Sequence, residues 1–306
     1  MKRGVAGGLA MAVIVGTYVF VLPQFANYGE VWAQVKTLSW EWILILIGSV
    51  VLNMITFAPP WMAALPGLGF WSAETVTQAS TASTYLAPGG PAVGIGISAA
   101  MLFAWGFRAD EVALAVTLTG IWNQLAILGF PTVALALSSA GMARRVGGLA
   151  ARLVNWTLRI VRRGPVGWDG ESLARFRSRA IGLLRRRWHV LTLATIAGQL
   201  TVFLVLLASL RALGVGADEV SVIEAFAGWS LARVLGSIPI TPGGLGLVEL
   251  GLTTVLVGFG GNRAGVVAAV LVYRFLTIVP TLVLGATAAA TWRRHRRHAE
   301  LEPEGG

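Results

Sequence analysis

Residues 190–212 read V-L-T-L-A-T-I-A-G-Q-L-T-V-F-L-V-L-L-A-S-L-R-A, and no charged side chain interrupts them from Val190 to Leu210. Such a run matches the ~20 apolar residues that carry an α-helix across a ~30 Å hydrocarbon layer at ~1.5 Å of rise per residue. Working outward, similar segments recur at 5–22, 42–64, 73–87, 91–105, 112–139, 219–237, 245–260 and 264–291. Apolar residues make up 56% of the 306 positions and charged residues only 12%, about half the charge that coats an ordinary soluble domain. A β-barrel also satisfies its backbone in lipid, but its strands alternate in and out over ~10 residues, which these unbroken runs do not. The expected fold class is therefore all-α: a polytopic transmembrane helical bundle of about eight spans plus re-entrant or broken helices, in two related halves.

The net charge of +10 is concentrated. Half of the 24 lysines and arginines lie between Met142 and His189, and Arg293, Arg294, Arg296 and Arg297 follow the last apolar segment. Lys and Arg flanking membrane spans mark the cytoplasmic side, so the central loop, the tail and the Lys2-Arg3 end are all expected inside. The acidic connections at Asp110-Glu111 and Asp218-Glu219 are expected outside. This divides the chain into a first transmembrane half (1–141), an Arg-rich cytoplasmic loop (142–189), a second transmembrane half (190–292) and a cytoplasmic tail (293–306). Trp156, Phe176 and Trp188 are interleaved with the loop arginines, which fits two amphipathic helices on an anionic lipid surface. Nucleic acid is not an expected partner.

Both ends can lie inside only if one of the first five segments fails to span. The segment 73–87 is short, rich in Ser, Thr and Gln, and ends at Pro88-Gly89-Gly90, so it is read as re-entrant. The segment 219–237, interrupted by charge and followed by Pro239 and Pro242, reads as a half-helix. The first segment, 5–22, is read as a retained helix rather than a signal peptide, because no small-residue cleavage pattern follows it.

The halves resemble each other around these breaks. Tyr85 to Gly90 reads Y-L-A-P-G-G, and Ile238 to Gly246 reads I-P-I-T-P-G-G-L-G. Each is followed by a short apolar stretch, then Arg108-Ala109 or Arg263-Ala264, then a long helix. Paired breaks in two halves are the sequence pointer to a transporter-like site at mid-membrane, whether the repeat is parallel or inverted.

Within the second half, Glu224, Arg233, Glu249 and Arg274 interrupt apolar sequence. A charge at mid-bilayer costs ~2.5–3.5 kcal/mol on insertion scales and needs a partner, water or a ligand. Two readings stay open: Glu249 and Arg274 pair internally, or the Thr241-Pro242-Gly243-Gly244 turn, Gly246 and a helix N-terminus form an anion site to which Arg233 or Arg274 adds charge. Arginine's planar fork of donors suits a phosphate. In the first half, Tyr85, Pro88, Gly89 and Gly90 are the corresponding candidates, with Thr84, Asn123 and Gln124 as the nearby polar residues.

Catalytic machinery is not visible. Cysteine is absent, and the three histidines, His189, His295 and His298, sit in basic stretches. No phosphate-binding loop or dinucleotide fingerprint occurs, and neither an enzymatic activity nor a cofactor or metal is expected.

The stretch Arg233-Val-Leu-Gly-Ser-Ile-Pro-Ile-Thr-Pro-Gly-Gly-Leu-Gly-Leu-Val-Glu249, followed by Tyr273-Arg274-Phe275 and Gly285, resembles the lysylphosphatidylglycerol synthase transmembrane, flippase-like family. The resemblance implies a membrane domain of the bacterial inner membrane that handles an anionic phospholipid or a polyprenyl-linked lipid. The chain reaches Gly306 with no aminoacyl-transfer domain, so synthesis of an aminoacylated lipid is not implied. Also unlike many relatives, it has no Arg or Glu beside Pro88-Gly89-Gly90. The leading expectation is a lipid or lipid-linked-intermediate translocase that binds a phosphate-bearing headgroup. The alternative is a non-transporting scaffold that docks a cytosolic or membrane enzyme through its Arg-rich loop.

Overall fold

A computed structural model describes residues 28–86, 90–137, 170–238 and 241–299. The expected first helix at 5–22, Pro88 and Gly89, most of the Arg-rich loop and the last residues of the tail lie outside the described residues. The described chain is helical, with no strand among its residues. In order, the helices are α1 (Tyr28–Lys36), α2 (Trp40–Ile55), α3 (Ala58–Ala64), α4 (Phe70–Leu86), α5 (Gly90–Ala104), α6 (Ala109–Leu137), α7 (Gly170–Ala212), α8 (Val222–Gly236), α9 (Leu247–Phe259) and α10 (Arg263–Ala299). A 3-10 turn, Pro242–Gly244, separates α8 from α9.

Five stretches among the described residues are long and apolar enough to cross a membrane: Trp40–Ala64, Ala109–Leu137, Ile181–Ala212, Pro242–Phe259 and Arg263–Ala288. The helix α7 runs 43 residues without interruption, or ~64 Å, about twice the hydrocarbon thickness. Its basic beginning was expected as a separate surface helix. It is instead the N-terminal extension of the span, because nothing in the sequence breaks the helix between Gly170 and Ala212.

The expected broken segments are short helices folded back on one another. The helices α4 and α5, of 17 and 15 residues, pack along each other as one hairpin. The helices α8 and α9, of 15 and 13 residues, form a second. At ~1.5 Å per residue these reach only ~20–25 Å.

Each hairpin is held tight at glycines. A Cβ on Gly90 would strike the Thr84 backbone, and one on Gly94 would come within 2.9 Å of the Ser80 carbonyl oxygen. In the second hairpin a Cβ on Gly244 would lie 2.9 Å from both the Gly236 Cα and the Val248 side chain. Gly244 also has a φ of 68°, a left-handed conformation that glycine adopts without steric cost.

Both hairpins return to where they began. The side chain of Glu219, before α8, accepts the backbone N–H and the side-chain N–H of Asn262, after α9, both at 2.8 Å. In the first hairpin, Phe107 beyond α5 lies against Gly67 ahead of α4, its ring 4.0 Å from where a Cβ of that glycine would stand.

The contacts divide the chain into two compact units assembled from interleaved segments. Of the described residues, one unit comprises 28–53, 124–137, 199–238 and 241–277 and contains the α8–α9 hairpin. Phe130, Phe203, Phe226 and Trp229 form its aromatic cluster, with ring centroids 5.2–5.7 Å apart, and Asn53 donates to the Thr201 hydroxyl at 3.1 Å. The other unit comprises 54–86, 90–123, 170–198 and 278–299 and contains the α4–α5 hairpin. Its core gathers Ala58, Leu65, Val76, Met101, Leu102, Leu118 and Leu191, and Trp122 Nε1 donates to the Thr192 hydroxyl at 2.8 Å.

Candidate functional site

The polar interior of the second hairpin is built on its glycine turn. Gly243, Gly244 and Gly246 all have positive φ, which lets the chain reverse within a few residues and start α9 at once. The N–H groups of Gly244 and Leu245 donate to the carbonyls of Thr241 and Pro242 at 3.1 and 3.2 Å. The N–H of Gly246 donates to Glu249 Oε2 at 2.8 Å. This is half of a capping box: the N3 carboxylate reaches back to the N-cap, but glycine has no side chain to return the bond.

Glu249 is fully buried. Its other oxygen, Oε1, accepts from Arg274 Nε at 2.7 Å, and the Arg274 side chain is only 8% exposed. The same guanidinium donates through Nη2 to the Gly243 carbonyl at 3.1 Å. One arginine from α10 therefore ties together the turn and the first turn of α9. The internal pairing that the sequence left open is present, and the acid also answers the positive end of the α9 dipole. Such a pair adds little net stability, because desolvating both ions offsets their attraction, but losing one partner is severe.

Arg233, near the end of α8, is placed differently. Its Nη2 donates to Oε1 of the buried Gln199 at 2.8 Å. Its Nε is buried without a hydrogen-bond partner among the described residues, and no carboxylate pairs with it there. Thr241, also buried, has a hydroxyl without a partner among the described residues.

The structure thus gathers Thr241, Pro242, Gly243, Gly244, Gly246, Glu249 and Arg274 around one turn, with Arg233 in the same unit. Tyr85, half-buried at the end of α4, and Gly90, at the start of α5, belong to the other unit. Pro88 and Gly89 lie outside the described residues.

Glu224, one of the four charges read in apolar sequence, caps α8: its carboxylate accepts the Ser221 N–H at 2.9 Å while the Ser221 hydroxyl accepts the Glu224 N–H at 3.3 Å. The Ser-x-x-Glu spacing carries that signal in the sequence. Three residues were not anticipated. Gln199 looks like one more polar residue in a span, and its role depends on Arg233, 34 residues away. Glu74 and Gln78 in α4 are one helical turn apart, and Gln78 Nε2 donates to Glu74 Oε1 at 2.6 Å. Gly285 marks a close approach, where a Cβ would strike Ala82 and lie 2.7 Å from the Gln78 carbonyl oxygen.

Long apolar helices and short glycine-pinned hairpins define the class of protein: a multi-pass helical membrane protein. Within that class, the chain belongs to the lysylphosphatidylglycerol synthase TM region family, whose model matches residues 7–285. The family is named for the membrane region of lysylphosphatidylglycerol synthase, a domain separate from that enzyme's catalytic domain. No curated protein matches the chain.

Proposed function

We propose that the protein is a flippase-like membrane domain that moves a phosphate-bearing lipid headgroup, an anionic phospholipid or a polyprenyl-linked lipid, across the bacterial inner membrane. The observation that carries this reading is Arg233, an interior guanidinium with an unsatisfied Nε and no carboxylate partner among the described residues. A half-buried cation in a membrane span with no counter-charge among the described residues is costly, and a phosphate supplies charge and acceptors together. The N–H groups of Gly244, Leu245 and Gly246 are already engaged, so charge recognition falls to the arginines. In this reading Glu249 orients Arg274, and the 241–246 turn fixes where its remaining donors stand.

The basic side of the protein faces the cytoplasm in this proposal. Arg185, Arg186 and Arg187 on α7 are exposed, and the acidic Asp218-Glu219 connection follows the other end of the same span. The positive-inside rule assigns the arginine end, and with it the basic chain ends, to the inside.

The test is flipping of labelled phosphatidylglycerol in liposomes containing the purified protein. Arg233→Ala is expected to slow flipping at least about tenfold, the scale on which a lost charge-assisted contact of ~1.4 kcal/mol or more reads out. Equal rates in the wild type and in an Arg233→Ala, Arg274→Ala double variant that remains monodisperse would rule the site out.

A further inference from the structure

The first hairpin contains an acceptor cluster that lipid headgroup recognition leaves unused. Glu74 Oε1 is taken by Gln78 Nε2 at 2.6 Å, whereas Glu74 Oε2 and Gln78 Oε1 are both buried without any hydrogen-bond partner among the described residues. Gln78 is 5% exposed. Two oxygens on residues one helical turn apart, one of them a carboxyl oxygen, thus lack a donor among the described residues. Burying such groups unanswered costs several kcal/mol in an apolar surrounding, and intramembrane carboxylates of this kind mark ion or proton pathways.

Among the described residues no basic side chain pairs with Glu74. The sequence of α3, of α5 and of the 278–288 stretch of α10, which closes on Gln78 at Gly285, contains no ionisable residue. At the start of α6, Arg108 Nε lies 3.5 Å from Asp110, and the Arg108 N–H donates to Glu111 at 3.2 Å. On α7, Arg185, Arg186, Arg187 and His189 are exposed, with Arg187 at 3.5 Å from the Met62 carbonyl. Among the described residues, then, no side chain supplies the charge missing at Glu74.

We infer that Glu74 and Gln78 form a binding site for a small monovalent cation, a proton or a sodium ion, held between Glu74 Oε2 and Gln78 Oε1. Hard oxygen donors of this type suit either cation and offer nothing to a soft metal. Resting on the translocase reading, the site gives headgroup movement a coupling ion. Occupancy itself is measured without lipid transport, so the two ideas fail separately.

The experiment uses the full-length protein in detergent and a hydrophobic carbodiimide, which attacks a protonated carboxyl in an apolar setting. Mass spectrometry then reads the adduct on Glu74. Labelling is expected at low pH and to fall several-fold as the pH is raised and the carboxyl loses its proton. If sodium is the ligand, sodium chloride protects Glu74 several-fold at constant pH where choline chloride does not; if the proton is the ligand, the two salts act alike while the pH dependence remains. Gln78→Leu, close in volume but without the acceptor, is expected to weaken the pH or sodium response while leaving the protein monodisperse. No adduct on Glu74 across this range, or labelling indifferent to pH, sodium and Gln78→Leu alike, would overturn the assignment. If flipping by the wild type proceeds unchanged across pH and sodium while Glu74 still titrates, the site stands and its coupling role does not.

Discussion

The two hairpins share a chain path and differ in how they treat charge. Each pairs two short helices joined through a glycine-rich stretch of sequence, and a long helix that begins beside an Arg-Ala pair follows. In α8–α9 the buried acid meets an arginine from α10 at 2.7 Å, and its second oxygen serves the turn. In α4–α5 the acid's partner among the described residues is a glutamine one turn away, and an oxygen on each is left over there. A fold element that can tolerate buried charge in either way separates its tasks: one hairpin is locked by its own ion pair, the other depends on something it binds.

The largest effect should come from breaking the lock. Arg274→Ala leaves Glu249 buried and unpaired, and is expected to destabilise the protein by about 3–5 kcal/mol, read from thermal unfolding in detergent. Replacing both partners, Glu249→Leu with Arg274→Met, should recover most of that loss. If the double variant is as unstable as the single one, the bond from Arg274 to the Gly243 carbonyl, rather than the ion pair, holds the turn.

Next come the turns themselves. Gly244→Ala combines a positive φ with contacts at 2.9 Å, and should cost about 1–3 kcal/mol. Gly94→Ala tests the first hairpin by crowding alone, since its Cβ would lie 2.9 Å from the Ser80 carbonyl oxygen, and a loss smaller than that at Gly244 is expected. In the same helix, Gly96 has nothing within 4 Å of an added Cβ. Gly96→Ala should be neutral or stabilising by up to about 1 kcal/mol, and a large loss there would mean that α4–α5 packs otherwise than described. Ser221→Ala, which removes the α8 cap, should cost about 1 kcal/mol in the same assay.

Much of this architecture was legible in the sequence because lipid permits few solutions. Long apolar runs must be helices, and paired Pro-Gly-Gly breaks in them must be enclosed by protein or water. The candidate pairing of Glu249 with Arg274 also followed, since two opposite charges in one apolar region have few other partners. The extent of α7 was misjudged because the arginines at 185–187 looked like a boundary, whereas helix formation depends on backbone geometry and long basic side chains favour it. Glu74 was passed over because it sits among Ser, Thr and Gln and carries no motif.

The sequence alone determined that this is an α-helical membrane protein, where its helices break, and which charges have to be explained. Only the tertiary structure decided the explanations: Arg274 bonds both an acid and a turn carbonyl, Gln199 serves Arg233, and Glu74 keeps an oxygen with no donor among the described residues. The physical reason is range. Apolar transfer and backbone satisfaction act on each segment by itself and show in local composition, whereas a buried charge is settled by atoms a few ångströms away in space that lie 25 or more residues away in the chain.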